Sequence, residues 1–129
     1  MALRDAIYSR LSNYSGLTSL VSTRIYSKEI TQDTTKPCVY FEITGIERIS
    51  AINGDSGMCD AQCRVISVAT TLAGAVAVAD QVRAALQRYS GTVSSTDIRN
   101  VFIENEFDSY ESDLDESNIE QFFTVSYIE

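Results

Sequence analysis

The densest group of chemically capable side chains is an acidic run from Asp108 to Glu116, close to the C-terminal end of the chain. Clustered carboxylates are what a calcium loop offers, and Asp113 and Asp115 could open such a loop. The loop would then need a glycine where the chain has Asn118 and a bidentate glutamate where it has Thr124. The calcium signature therefore fails. A solvated loop between two strands is the simplest interpretation, and an electrostatic surface facing a partner or a channel is the second.

The three cysteines form no pattern that predicts chemistry. Cys59 and Cys63 lie four residues apart in a predicted strand, about 13 Å, which is too far for a disulfide. Zinc is disfavoured because the chain has no histidine and no second close pair of thiols beside Cys38. We expect buried, reduced and unreactive thiols.

Catalysis is disfavoured by the same composition. Nucleophilic catalysis needs a base beside serine or cysteine, and histidine is absent. The six glycines are scattered, and Gly54 and Gly57 flank a turn instead of opening a helix as a phosphate-binding loop would. Carboxylate-based hydrolysis stays formally possible. We therefore predict no enzyme, and no catalytic, cofactor-binding or metal-ligating residues.

The net charge of −8 limits the partners that the chain can bind. Nucleic-acid binding requires a surplus of Lys and Arg, yet 18 acidic residues face 10 basic ones. Anionic membranes repel such a chain, and no apolar stretch approaches the ~20 residues of a membrane span. No apolar run follows the N-terminus, so we expect no secretory signal and synthesis in the cytoplasm.

The hydrophobic pattern predicts two helices and four main strands. Apolar side chains at helical spacing indicate a helix from Leu3 to Asn13, with one or two further turns at residues 17–21. The longer helix runs from Thr71 to Tyr89, capped by Thr70 or Thr71. Its apolar stripe contains Leu72, Val76, Ala79, Val82, Arg83 and Leu86. The strands are predicted at residues 38–44, 59–69, 97–107 and 119–128, with a short extended piece at 24–26 and a turn at 53–57.

These elements predict one α+β domain spanning residues 1–129. The expected architecture has two layers, with an antiparallel four-stranded sheet and helices packed on one face, in the order α-β-β-α-β-β. Both faces of several strands carry large residues: Tyr40 beside Phe41, Phe102 beside Ile103, and Phe122 beside Phe123. That is more apolar surface than one helical layer buries, so either an assembly interface or long loops should cover the rest.

The order and spacing of these segments resemble the tail-completion proteins of long-tailed bacteriophages, the tail-terminator or tail-to-head joining family. The resemblance rests on the helix from Leu3 to Leu11, Arg24-Ile25-Tyr26, Lys36-Pro37 before Cys38-Val39-Tyr40-Phe41, and the alanine-rich helix through Ala75 and Ala79. It covers roughly Leu3 to Tyr89. The chain departs from the family pattern at Ser27, where a proline is expected, and in having no tryptophan.

The resemblance implies a structural subunit of the virion at the head–tail interface. Such subunits form a homo-oligomeric ring, usually a hexamer, on the last ring of the tail tube. The partners would be the major tail tube protein and a head-completion or connector protein, with DNA only as passing cargo. On this reading Asp108, Glu111, Asp113, Asp115 and Glu116 would line the channel or meet a neighbouring ring.

Two other functions remain open from the sequence. A head-completion or neck connector protein would also form a ring. A small acidic inhibitor that mimics DNA would share the negative charge, although such mimics spread acids over a whole face.

Overall fold

The computed structural model describes residues 2–27, 35–51, 54–111 and 116–128. The three helices are α1 (Ala2–Ser12), α2 (Ser15–Val21) and α3 (Leu72–Leu86). The strands are β1 (Ile25–Tyr26), β2 (Cys38–Ala51), β3 (Gly54–Ala69), β4 (Gly91–Val93), β5 (Thr96–Glu111) and β6 (Glu116–Ile128).

The strands form one six-stranded mixed sheet in the order β1-β2-β3-β6-β5-β4. β1 runs parallel to β2, and the other neighbours are antiparallel. The sheet curls into a half-barrel beside the three helices. The predicted two-layer α+β fold with an antiparallel four-stranded sheet is therefore wrong, because the chain is mostly β and two short strands extend the sheet at both edges.

The sequence did not predict β4, because the hairpin that joins it to β5 uses an unusual turn. Val93 pairs with Thr96 across a two-residue connection, Ser94-Ser95. Both serines have positive φ angles, 48° and 67°, as the mirror-image turns of tight hairpins require. Such turns are ordinarily marked by Asn-Gly or Asp-Gly, so this serine pair gave no hairpin signal.

The long strands also extend further than their apolar patterns indicated. β2 and β3 pair from Ala51 opposite Gly54 onwards, so a hairpin lies where the turn was predicted but with a shorter connection. The predicted loop from Asp108 to Glu116 is likewise too long, because β5 continues to Glu111 and β6 begins at Glu116. These strand ends are polar, and pairing with a neighbouring strand overrides their weak intrinsic preference.

The core fills the face of the sheet that carries the helices. Leu3, Ile7 and Leu11 of α1 are fully buried, as their helical spacing predicted. They pack with α2, α3 and the alternating inward residues of the long strands, which include Phe41, Cys63, Val65, Val101, Phe123 and Val125. Arg10 fastens α1 to α3 by donating from Nε to the Ala85 carbonyl oxygen at 2.7 Å.

α3 contacts the sheet through a face rotated from the predicted stripe. Ala75 and Ala79 pack against Ala69 and Ile119, whereas Leu72 is 52% exposed. Alanine lets the helix backbone approach the sheet more closely than leucine would, so the larger side chains near the start of α3 point outwards. Thr71 caps the helix, since its hydroxyl accepts a hydrogen bond from the Gly74 N–H at 3.0 Å.

The opposite face of the sheet is partly apolar and partly ionic. Cys38, Ile66 and Val68 are buried there, with Tyr40 packed beside them. Next to this cluster Arg64 bridges two carboxylates, with Glu42 2.8 Å and Glu120 2.5 Å from its guanidinium nitrogens. Burial opposes the charged form, but the hydrogen bonds to Glu120 and Glu42 prevail and raise the pKa of Arg64. The expected excess of apolar surface is thus reduced on this face.

Candidate interaction surface

An acidic surface lies where the second half of β5 passes α3. Up to Ile103 the strand is held by the end of α3. The Arg88 N–H donates to the Val101 carbonyl oxygen at 2.6 Å, and the Ile103 N–H donates to Gln87 Oε1 at 2.8 Å. A register shift follows between Ile103 and Asn105. Beyond it, residues 104–110 are all exposed.

A groove of about 310 Å³ separates the two elements past this bulge. Its walls combine three carboxylate residues with four apolar ones: Asp80, Glu106 and Asp108, and Val76, Ala79, Phe107 and Ile119. Val76 is 41% and Phe107 55% exposed. Phe107 also packs edge-to-face on Phe122, with ring centroids 5.9 Å apart. The groove therefore offers a negatively charged surface with apolar contacts beside it.

One buried amide holds the acidic wall in place. Gln121 is fully buried, and its Nε2 donates both to the Ala79 carbonyl oxygen at 3.1 Å and to Glu106 Oε1 at 2.9 Å. Its Oε1 has no hydrogen-bond partner within the described residues. Gln121 thus joins α3, β5 and β6, and fixes one carboxylate of the groove.

The structure describes the side chains of two of the five acids singled out from the sequence, Asp108 and Glu116. Asp108 lines the groove, and Glu111 is the last residue of β5. Asp113 and Asp115 lie outside the described residues. Glu116 is buried, and its Oε1 lies 3.1 Å from Lys36 Nζ. Its charge is therefore already matched within the chain.

Sequence reasoning missed the other two acids of the groove. Glu106 and Asp108 are two residues apart in a strand, and this spacing puts both side chains on one face. Asp80 lies one helical turn from Val76, so the exposed side of α3 carries both. The sequence spacing therefore indicated which acids share a face within each element. Only the packing of α3 across β5 and β6 brings the acids of the two elements together.

The cysteines are buried and free, as expected. Burial raises the pKa of the Cys63 thiol to about 12 and that of Cys38 to about 11, the latter against the opposing charges of Lys36 and Arg24. Such thiols are poor nucleophiles near neutral pH.

The described residues contain neither a cluster of metal ligands nor a membrane-spanning helix. No group of three or more histidine, cysteine, aspartate or glutamate side chains there is placed to hold a metal ion. None of the helices in this part of the chain has the length and apolar character needed to cross a membrane.

Comparison with known proteins gives one family and one fold. Residues 5–127 match the model of a family described as "Tail completion protein gp17". A chain of the solved structure "Virion of native gene transfer agent (GTA) particle" superposes with a TM-score of 0.84 at 18% identity, covering 99% of this chain and 96% of that one. At this identity the likeness shows a shared fold. No curated protein matches the sequence.

Proposed function

Because this chain belongs to the tail completion protein gp17 family, we propose that it is a terminator subunit, of which a ring of copies caps the tail tube and joins it to the head. The family match confirms the resemblance drawn from the sequence and extends it into the C-terminal third of the chain. The chain is accordingly a structural protein of the virion tail. The family match is the observation that carries the proposal.

The ring would be a homo-oligomer, and a hexamer as in the family that the sequence resembles. A closed ring uses two different surfaces of each subunit, which meet head to tail. The exposed apolar side chains beside the groove, Leu72, Val76 and Phe107, suit contacts with other subunits. The family match favours this virion role over a free-standing inhibitor that mimics DNA.

The ring would contact the major tail tube protein on one side and a head-completion or connector protein on the other. DNA would pass through it as cargo, and a net charge of −8 supports passage because it repels phosphates. We propose that Asp108, Glu111, Asp113 and Asp115 line the channel or meet a neighbouring ring, with Asp80 and Glu106 added to this surface. Glu116 contributes less charge, since it pairs with Lys36.

Deletion of the gene from the particle that encodes it tests the proposed role. We expect tubes of uncontrolled length and heads without tails, seen by negative-stain microscopy, and rescue by the wild-type gene. Tails of normal length beside unjoined heads would point to a neck connector instead. Normal, joined particles without the gene would refute the proposal.

A charge variant tests the acidic surface separately. Complementation with Asp108→Asn/Asp113→Asn/Asp115→Asn should lower the infectivity or DNA delivery of the particles. The matched control, Asp5→Asn/Asp33→Asn/Asp97→Asn, removes the same charge elsewhere and should behave as wild type. Equal titres for the two variants would remove the channel or ring role of the acidic residues and leave the tail role standing.

A further inference from the structure

The two long outer strands of the sheet are only partly covered along their outer edges. β1 pairs with β2 at Val39 and Tyr40, and β4 pairs with β5 at residues 96–98. In the described part of the chain, no strand lies along the outer edge of β2 at residues 41–47 or of β5 at residues 104–109. Unpaired edges of this length are templates for a further strand.

We propose that neighbouring copies of this chain join through these edges, so that β5 of one copy pairs antiparallel with β2 of the next. The proposal rests on the ring proposed above and assigns its subunit interface. Strand direction supports a second copy as the occupant. β2, β3, β6 and β5 alternate in direction, so β5 runs opposite to β2. A copy in the same orientation would therefore continue the antiparallel pattern without a break.

The backbone groups at both edges face outwards from equivalent positions. The Val39 N–H donates to the Arg24 carbonyl oxygen at 3.0 Å, so Val39 faces the outer edge of β2, and alternation gives Phe41 and Ile43 the same direction. On β5, Val101 and Ile103 bond outwards to the end of α3.

The same alternation extends past the register shift in β5. Beyond the shift, Glu106 pairs with Gln121 and Asp108 pairs with Ile119. The backbone N–H and C=O groups of Glu106 and Asp108 therefore also face the outer edge of β5. On both strands, the residues whose backbone faces the outer edge have their side chains on the helix-bearing face of the sheet. Phe41 is in the core, and Glu106 and Asp108 line the groove beside α3. Joining the edges would thus keep the helices of both copies on one side.

The open stretches are offset along the sheet, since that of β5 is level with residues 64–68 of β3 and that of β2 with residues 60–65, and this offset suits a closed ring. Asp108 of β5 is level with Ser67 of β3, whereas Ile43 of β2 is level with Cys63. To align the two open stretches, the neighbour must therefore slide by about four residues, or ~14 Å, across four strands that span ~19 Å. These lengths correspond to a strand tilt of about 36°, within the ~35–45° that closed barrels require.

Engineered cysteines test this pairing in assembled particles. With the offset applied, Ile43 of one copy lies opposite Asp108 of the next, so the Ile43→Cys/Asp108→Cys variant should form disulfides between copies on mild oxidation. On non-reducing denaturing gels the monomer band should be lost to a ladder that ends at the ring number. The matched control is Ile49→Cys/Thr92→Cys, which would cross-link if copies met without the offset, since Thr92 is level with Met58 of β3, the residue next to the Cys59–Arg48 pair.

The outcomes separate this interface from the proposed ring function. A ladder from the first pair, with a monomer band from the control, supports the edge-to-edge interface. Rings visible by microscopy with no ladder, or with a ladder from the control pair alone, overturn the interface and leave the ring standing. Particles that contain no ring of this chain overturn both.

Discussion

Lys36 Nζ lies 3.1 Å from Glu116 Oε1, with only 12% and 9% of the two side chains exposed. The pair fastens the segment before β2 to the first residue of β6. Breaking a largely buried pair leaves an uncompensated charge, which costs more than losing a pair on the surface.

Glu116→Gln should therefore lower the free energy of unfolding by about 2–4 kcal/mol, measured by urea denaturation. Asp97→Asn is the control, because its pair with Arg99 is 42% and 57% exposed, and it should cost less than about 1 kcal/mol. Equal losses in the two variants would show that Lys36 and Glu116 are solvated in solution.

The cap of α3 gives a second prediction. Thr71→Ala removes the hydroxyl that accepts from the Gly74 N–H and should cost about 1 kcal/mol of stability. Thr70→Ala, at the exposed preceding residue, should cost less than about 0.5 kcal/mol. Thermal unfolding followed by circular dichroism compares the two, and a larger loss for the Thr70 variant would place the cap one residue earlier.

The rotated face of α3 gives a third prediction. Leu86 is 1% exposed and Leu72 is 52% exposed, although the sequence assigned both to the buried stripe. Leu86→Ala should cost about 2–5 kcal/mol because it leaves a cavity in the core. Leu72→Ala should change the unfolding free energy by less than about 0.5 kcal/mol. A large loss for Leu72→Ala in urea denaturation would contradict the orientation of the helix.

The raised thiol pKa values predict how stability depends on pH. A thiol ionises near its ordinary value of 9.0 in the unfolded chain, whereas the folded pKa is about 11 for Cys38 and about 12 for Cys63. Above pH 9 the unfolded chain therefore binds fewer protons than the folded one, so stability falls as pH rises towards 11 and is unaffected below 9. Cys38→Ala/Cys63→Ala should show a smaller decrease in urea midpoint between pH 8 and pH 10.5 than wild type. Parallel decreases would show that the thiols are not the cause.

Strong local periodicity made individual helices and strands predictable, but not the way they assemble into the sheet. α1 was predicted because Leu3, Ile7 and Leu11 repeat at helical spacing, and the alternation of Cys63 and Val65 against Ile66 and Val68 placed the two faces of β3 correctly. The sheet was predicted with too few strands because β1 and β4 are two and three residues long, and such strands exist only through their neighbours.

The candidate site was predictable only in part, for a tertiary reason. Asp108 was identified from an acidic run, but its neighbours in the groove come from α3 and from the strand interior. Gln121 left a signal that was overlooked: it stands between Ile119 and Phe123 in the inward-facing series of β6, where an amide must find buried partners. The angle at which α3 crosses the sheet depends on Ala75 and Ala79, and no local pattern specifies it.

β3 is flanked by β2 and β6 along almost all of its length. Its amides can meet water only after one of these neighbours has separated, whereas β1 and β4 can detach with little loss of contact. Hydrogen–deuterium exchange should therefore be slowest in β3 and approach there the rate of global unfolding. If subunits join at the outer strands, assembly would slow exchange at the margins of the sheet and leave its centre unchanged.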